Sequence, residues 1–291
     1  MKLHQLKKQL RLQQRQTARS EHRSRSWLWL LLLILLVAAA AVPFYLHREL
    51  GAPQRLFANA VKKESRGQLE AAQRLYQLLY EDYPNAPQAP EALLRYAKIW
   101  QYDRQHDQQA LLAYLQLEHD YPNHQLSLTA QEAAAYIVKY SLRDFSRAIG
   151  FYQRLLEQPA GDRGRYLYEI ADCYFRLDNY SQARIELENL LLQEPESPLL
   201  PDVLYRKGGL LMLENRHAAA RADWQRLVEE FPDNSYSVQA RFNLAQLLEE
   251  EDRLQEALKM YQELEDFPQP AVLQEKISSL RERITAKKKA I

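Results

Sequence analysis

Apolar positions between residues 55 and 268 recur at i, i+4 and i+7, the spacing that stacks side chains on one face of a helix. The first triplet is Ala72, Tyr76, Leu79. It returns as Ala110, Tyr114, Leu117, then Ala148, Tyr152, Leu155, then Ala183, Leu187, Leu190. Ala220, Trp224, Leu227 and Ala257, Tyr261, Leu264 complete the series, with successive alanines 35 to 38 residues apart by subtraction. A second small residue stands 12 or 13 positions before each alanine: Ala60, Ala97, Ala135, Ala171, Gly208 and Ala245. Polar clusters such as Ser65-Arg66-Gly67, Asp178-Asn179 and Glu251-Asp252-Arg253 lie between them, where one helix must stop and the next begin. Pro84, Pro122, Pro159, Pro195, Pro232 and Pro268 follow their alanines by 11 or 12 residues. Proline cannot continue a helix and turns the preceding residue away from it. The pattern predicts six helical pairs, each a first helix, a polar turn, a striped second helix and a proline stop. A fixed period of this size is that of an all-α solenoid.

The stripe has a packing rationale. Its alanine and the small residue on the first helix allow close approach, and the aromatic and leucine fill the remaining space. Gly208 inside a helix costs roughly 1 kcal/mol against alanine, so close packing is its expected justification. Tyr83, Tyr121, Phe231 and Phe267 precede four of the prolines and are expected in the seams between repeats. The last stretch, residues 269–291, reads as a capping helix with Leu273, Ile277, Leu280 and Ile284 on one face, followed by a basic tail.

The N-terminal part breaks the pattern. Trp27 to Leu46 is an uncharged apolar run, and at helical rise it spans roughly 30 Å, the thickness of a bilayer core. Trp27 and Trp29 stand at one end and Phe44 and Tyr45 at the other, as interfacial aromatics do. Residues 1–26 hold eight Lys/Arg and one acid, a basic arm of +7. The positive-inside bias then puts the arm in the cytoplasm and everything after the span outside it. A cleaved signal peptide is the alternative, since Ala38 to Ala41 offers small residues for cleavage. Residues 47–54 form a short linker to the repeats.

Charge narrows the function. The chain's net charge is +1, so residues 27–291 carry −6 (1 − 7), and a mildly acidic body argues against nucleic acid as partner. No Gly-rich phosphate loop, H-E-x-x-H, C-x-x-C or nucleophile elbow occurs. The expectation is a protein without catalytic residues, metal or cofactor. His106, His119 and His124 fall near helix ends without rigid ligand spacing, and Cys173 has no second cysteine to pair with. An envelope hydrolase finds no nucleophile, acid pair or metal cluster to support it.

The spacing of small residue, alanine, aromatic and proline resembles the tetratricopeptide repeat, clearest in Ala171, Ala183, Leu187, Pro195 and in Gly208, Ala220, Trp224, Pro232. The chain departs from the family in its longer period and in leucine at the stripe's third position, where the family often has alanine. Its longer linkers, such as Tyr83-Pro84-Asn85-Ala86-Pro87 and Phe231-Pro232-Asp233-Asn234-Ser235, are similar to those of a bacterial cell-envelope subgroup that includes the Tol-Pal accessory protein and an outer-membrane-assembly lipoprotein.

What the resemblance implies is binding. In this family the groove is lined by first-helix residues three before, one after and four after the small residue. Carried onto this sequence, those positions are Leu94 and Lys98, then Tyr168, Asp172 and Phe175, then Tyr205 and Met212, then Phe242, Gln246 and Glu249. An aromatic face with a few charges suits an extended peptide or a partner helix. The same aromatics would also serve as packing between repeats. The expected function is a scaffold anchored in a bacterial inner membrane that holds envelope proteins or peptides on the exported side. A structural subunit of a larger secretion, pilus or outer-membrane-assembly machine is the alternative.

Overall fold

The computed structural model describes residues 31–37, 51–103, 105–264 and 266–290. From Ala52 on the described residues form helices joined by short turns, with no strand among them. The basic arm and most of the expected span lie outside the described residues. Leu31 to Val37 are helical, and their apolar side chains are exposed. Among the described residues no helix is long and apolar enough to cross a membrane.

The chain divides into two compact units, Met1–Tyr96 and Ala97–Ile291. In the first, α1 (Ala52–Glu64) and α2 (Leu69–Asp82) make repeat 1, and α3 (Ala89–Lys98) begins. Ala60, Ala72, Tyr76 and Leu79 form the buried seam of that pair. The Tyr76 hydroxyl donates to Glu64 at 2.5 Å, and Arg95 closes on the same carboxylate at 2.9 Å.

In the second unit, α3 ends in a π-helical turn, Ile99–Asp103, before α4 (Asp107–Asp120). α5 (Gln125–Tyr136) ends in another, Ile137–Ser141, before α6 (Phe145–Leu156). Then come α7 (Arg163–Arg176) with α8 (Tyr180–Gln193), α9 (Leu200–Leu213) with α10 (His217–Glu230), and α11 (Ser235–Glu250) with α12 (Leu254–Gln262). The last helix is α13 (Pro270–Ala290). From α4 onward each helix packs on the next, and α9 also packs on α11.

The spacing of small residues explains the two π-turns. Ala97 to Ala110 and Ala135 to Ala148 are 13 residues apart, against 12 in the other repeats. A π-turn absorbs one residue without shifting the helix face on either side. All six turns within the pairs carry one left-handed residue: Gly67, Gln105, Arg143, Asp178, Asn215 and Asp252. Asp and Asn tolerate that conformation by local hydrogen bonding. Gln105 and Arg143, the least suited, follow the π-turns.

The stripe alanines Ala72, Ala110, Ala148, Ala183, Ala220 and Ala257 are each no more than 1% exposed. A Cβ on Gly208 would meet the Trp224 indole at 2.3 Å, so alanine there would displace the ring. Phe231 packs against the cores on both sides of it, and Phe267 stacks on Phe242 at 4.4 Å. Asn234 caps α11 through the backbone N–H of Tyr236 at 2.9 Å. Leu273, Ile277 and Leu280 of α13 are buried against repeat 6, covering the core that Tyr261 and Leu264 would otherwise expose.

Candidate functional site

In most repeats the stripe aromatic reaches beneath the first helix and is tied to it. Tyr114 donates to Gln101 at 2.7 Å, and Tyr261 lies 3.4 Å from Glu249. Both acceptors stand four residues after the small residue, as Glu64 does in repeat 1. Trp224 of repeat 5 donates instead to the carbonyl of Tyr205 at 3.1 Å. Repeat 4 has neither ring nor tie. Its stripe position is Leu187, and the residue four after Ala171 is Phe175, 44% exposed. On the next first helix Gly209 contributes no side chain, and a Cβ there would meet nothing within 4 Å.

The result is a cavity of about 330 Å³ between repeats 4 and 5. Its walls are Tyr168, Ala171, Phe175, Ala183, Leu187, Tyr205, Gly209, Leu210 and Leu213, with Asp172, Arg206 and Asn243 as polar members. Its size suits one large apolar side chain. Phe175 and Leu213 stay exposed beside it, and an exposed apolar surface next to a cavity marks an interaction site.

A polar network fixes one wall. Lys139, 2% exposed, sits in the second π-turn. It donates to Glu169 at 2.5 Å and pairs with Asp172 at 2.8 Å. Tyr140 donates to the same Glu169 carboxylate at 2.7 Å. Arg206 reaches Asp172 at 3.2 Å and Asp202 at 2.9 Å, and its guanidinium lies 5.0 Å over the Tyr168 ring. The Tyr168 hydroxyl donates to Asp202. Burial works against the charged forms of Lys139 and Asp172, but their mutual hydrogen bonds and charges prevail. The ammonium is held above its ordinary range and the carboxyl below its own.

Asp172 also borders a second cavity, of about 340 Å³, lined by Lys139, Tyr140, Arg143, Phe145, Asp172 and Arg176. The two cavities therefore share one carboxylate as a wall.

Of the groove positions expected from sequence, Tyr168, Asp172, Phe175 and Tyr205 come together at the first cavity. The others have different surroundings. Leu94 is 6% exposed, and Lys98 is exposed. Met212 packs against the core beside Trp224. Phe242 is 9% exposed, between Tyr261 and Phe267. Gln246 is half-buried, and Glu249 is held by Lys276 at 3.0 Å and Arg283 at 3.2 Å. Lys139, Leu187, Arg206, Gly209 and Leu213 line the cavities as well. The offset of four after Ala135 would have found Lys139, and leucine among aromatics would have found Leu187.

Among the described residues no three His, Cys, Asp or Glu side chains converge as metal ligands. His119 meets Asp120 at 2.8 Å, His124 caps α5, and the His106 ring lies 5.5 Å from Trp100. Cys173 is buried, which pushes its thiol up to about 11, away from thiolate chemistry.

A family model for the tetratricopeptide repeat matches residues 137–201 and 205–270. Within those residues the chain carries tetratricopeptide repeats. The repeats that border the first cavity lie inside the matched residues. Proteins with this repeat serve as scaffolds for protein–protein interaction. A search of curated proteins finds no match. Among solved structures, a tetratricopeptide repeat protein from Parabacteroides merdae is similar at 16% identity and a TM-score of 0.49, over 79% of this chain and 98% of that one. YrrB, described as a repeat protein with an unusual peptide-binding site, gives 14% and 0.49, over 68% and 94%. PilW, described as a type IV pilus biogenesis factor, gives 14% and 0.46, over 79% and 98%. Likenesses this distant bear on neither partner nor pathway.

Proposed function

We propose that this protein is a docking scaffold that captures an extended segment of another protein by seating an apolar side chain in the cavity between repeats 4 and 5. The observation that carries the reading is the mostly apolar opening between repeats 4 and 5. Leu187 and Gly209 leave it, and Phe175 and Leu213 rim it. A concave, mostly apolar site with a few fixed polar groups is the usual form of a binding pocket. A photo-reactive phenylalanine analogue at Leu213 should cross-link a partner in cells, while the same probe at Leu192, 80% exposed on α8, should not. Gly209→Leu, which fills the cavity, should remove the Leu213 cross-link. Cross-linking unchanged by Gly209→Leu would reject the cavity as the docking site.

The scaffold belongs, in this reading, at a bacterial inner membrane, with the repeats on the exported side and envelope proteins as partners. The exposed apolar run Leu31–Val37 within Trp27–Leu46, and the basic arm before it, support the tether. Alkaline extraction of membranes should leave the protein in the pellet, and externally added protease should reach a tag after Ile291 only once the outer membrane is opened. Release into the alkaline supernatant would contradict the tether.

A further inference from the structure

The second cavity has a chemistry that docking by an apolar anchor leaves unused. Three cations, Lys139, Arg143 and Arg176, face a single carboxylate on its wall, Asp172. Lys139 is sealed, its side chain 1% exposed, and its charge is spent on Glu169 and Asp172. Asp172 is in turn shared with Arg176 at 3.5 Å and Arg206 at 3.2 Å. The two arginines on the open side are thus in excess of the anions available to them. Arg143 is exposed on its left-handed turn and has no ion-pair partner among the described residues. The rings of Tyr140 and Phe145 flank the site.

We infer that this cavity receives a carboxylate side chain of the docked segment, so that the partner is a peptide with an acidic residue close to its apolar anchor. The inference rests on the docking reading. Asp172 is a wall of both cavities, which sets the acidic subsite beside the apolar one. The chain's own basic arm, residues 1–26, has the wrong sign for this site. The proposed occupant is an acidic segment of a partner protein. Arg143 and Arg176 are its specificity determinants, and Lys139 is a positioning residue that holds Asp172 in place.

The test uses the full-length protein in lipid nanodiscs and fluorescein-labelled peptides on a Gly/Ser backbone. One set carries Phe and Glu at several separations. Matched sets replace Glu by Gln, Glu by Lys, or Phe by Ala. The best Phe/Glu peptide should bind about tenfold tighter than its Gln counterpart, as losing one charge-assisted hydrogen bond implies. That advantage should shrink as salt is raised. Arg143→Asn with Arg176→Gln should abolish the difference and leave the Phe/Gln affinity unchanged. Both residues are exposed, Asn accepts the left-handed turn, and circular dichroism checks the fold. Equal affinity for Glu and Gln peptides would overturn the acidic subsite while leaving the docking reading intact. Equal loss of both affinities in the double variant would reduce the arginines to structural roles and overturn it as well. Peptides that bind no better with Phe than with Ala, or as well to Gly209→Leu, would sink the docking reading, and the inference with it.

Discussion

Repeats 4 and 6 share one pattern of small residues and alanines, yet repeat 6 is closed and repeat 4 is open. In repeat 6, Phe242, Tyr261 and Phe267 form a ring cluster, and α13 covers it. Glu249 is held by Tyr261, Lys276 and Arg283 at once. In repeat 4, leucine replaces the ring, phenylalanine replaces the acceptor, and a glycine follows on the next repeat. Three substitutions in a repetitive frame change a sealed seam into a cavity of about 330 Å³. The lesson is that the repeat supplies a backbone, and the fill of each seam decides whether it is core or site.

The polar network offers the hardest break. Lys139→Met leaves Glu169 and Asp172 beside the open repeat without their buried cation. Removing one partner of a buried pair costs about 3–5 kcal/mol, and a urea titration should show a loss of that size. A change below about 1 kcal/mol, the range of surface pairs, would mean the network is solvated.

Two adjacent glycines sharpen the contrast. Gly208→Ala drives a methyl into Trp224 and breaks its bond to Tyr205, for an expected loss of about 2 kcal/mol from overpacking. Gly209→Ala meets open space and should gain up to about 1 kcal/mol in helix propensity. Effects of the same sign at both positions would deny the difference between sealed and open seams.

The smallest effect is on pH. The Asp172 carboxyl lies below its ordinary value of 3.8 in the folded protein. Its contribution is therefore fully present above that value and lost as pH falls through the lowered one. Lys139 runs the other way: its contribution is present below its ordinary 10.5 and lost as pH rises through the raised value. Melting temperatures across the acid range should fall for the wild type, and Asp172→Asn should flatten that fall.

The order of helices was legible because proline stops, polar turns and small residues are local signals. The tie between Tyr261 and Glu249 was not. It depends on two positions in different helices, and a rule that scores first-helix offsets alone gives Phe175 and Glu249 equal weight. The same rule singled out Phe242, which the rings of repeat 6 and its cap bury. The π-turns had a signal in the extra residue between Ala135 and Ala148, but spacing alone does not say that Lys139 ends up buried in one. The burial of Lys139 follows from the approach of α7, which brings Glu169 and Asp172.

The most direct measurement restores the missing ring. Leu187→Phe, at the stripe position where other repeats carry Tyr or Trp, should fill the cavity from within. Anisotropy titrations with the Phe/Glu peptides, run beside thermal melts, should show the peptide affinity falling while the melting temperature holds or rises. Unchanged peptide affinity in a variant that melts no lower would contradict the claim that the opening left by Leu187 is the binding site.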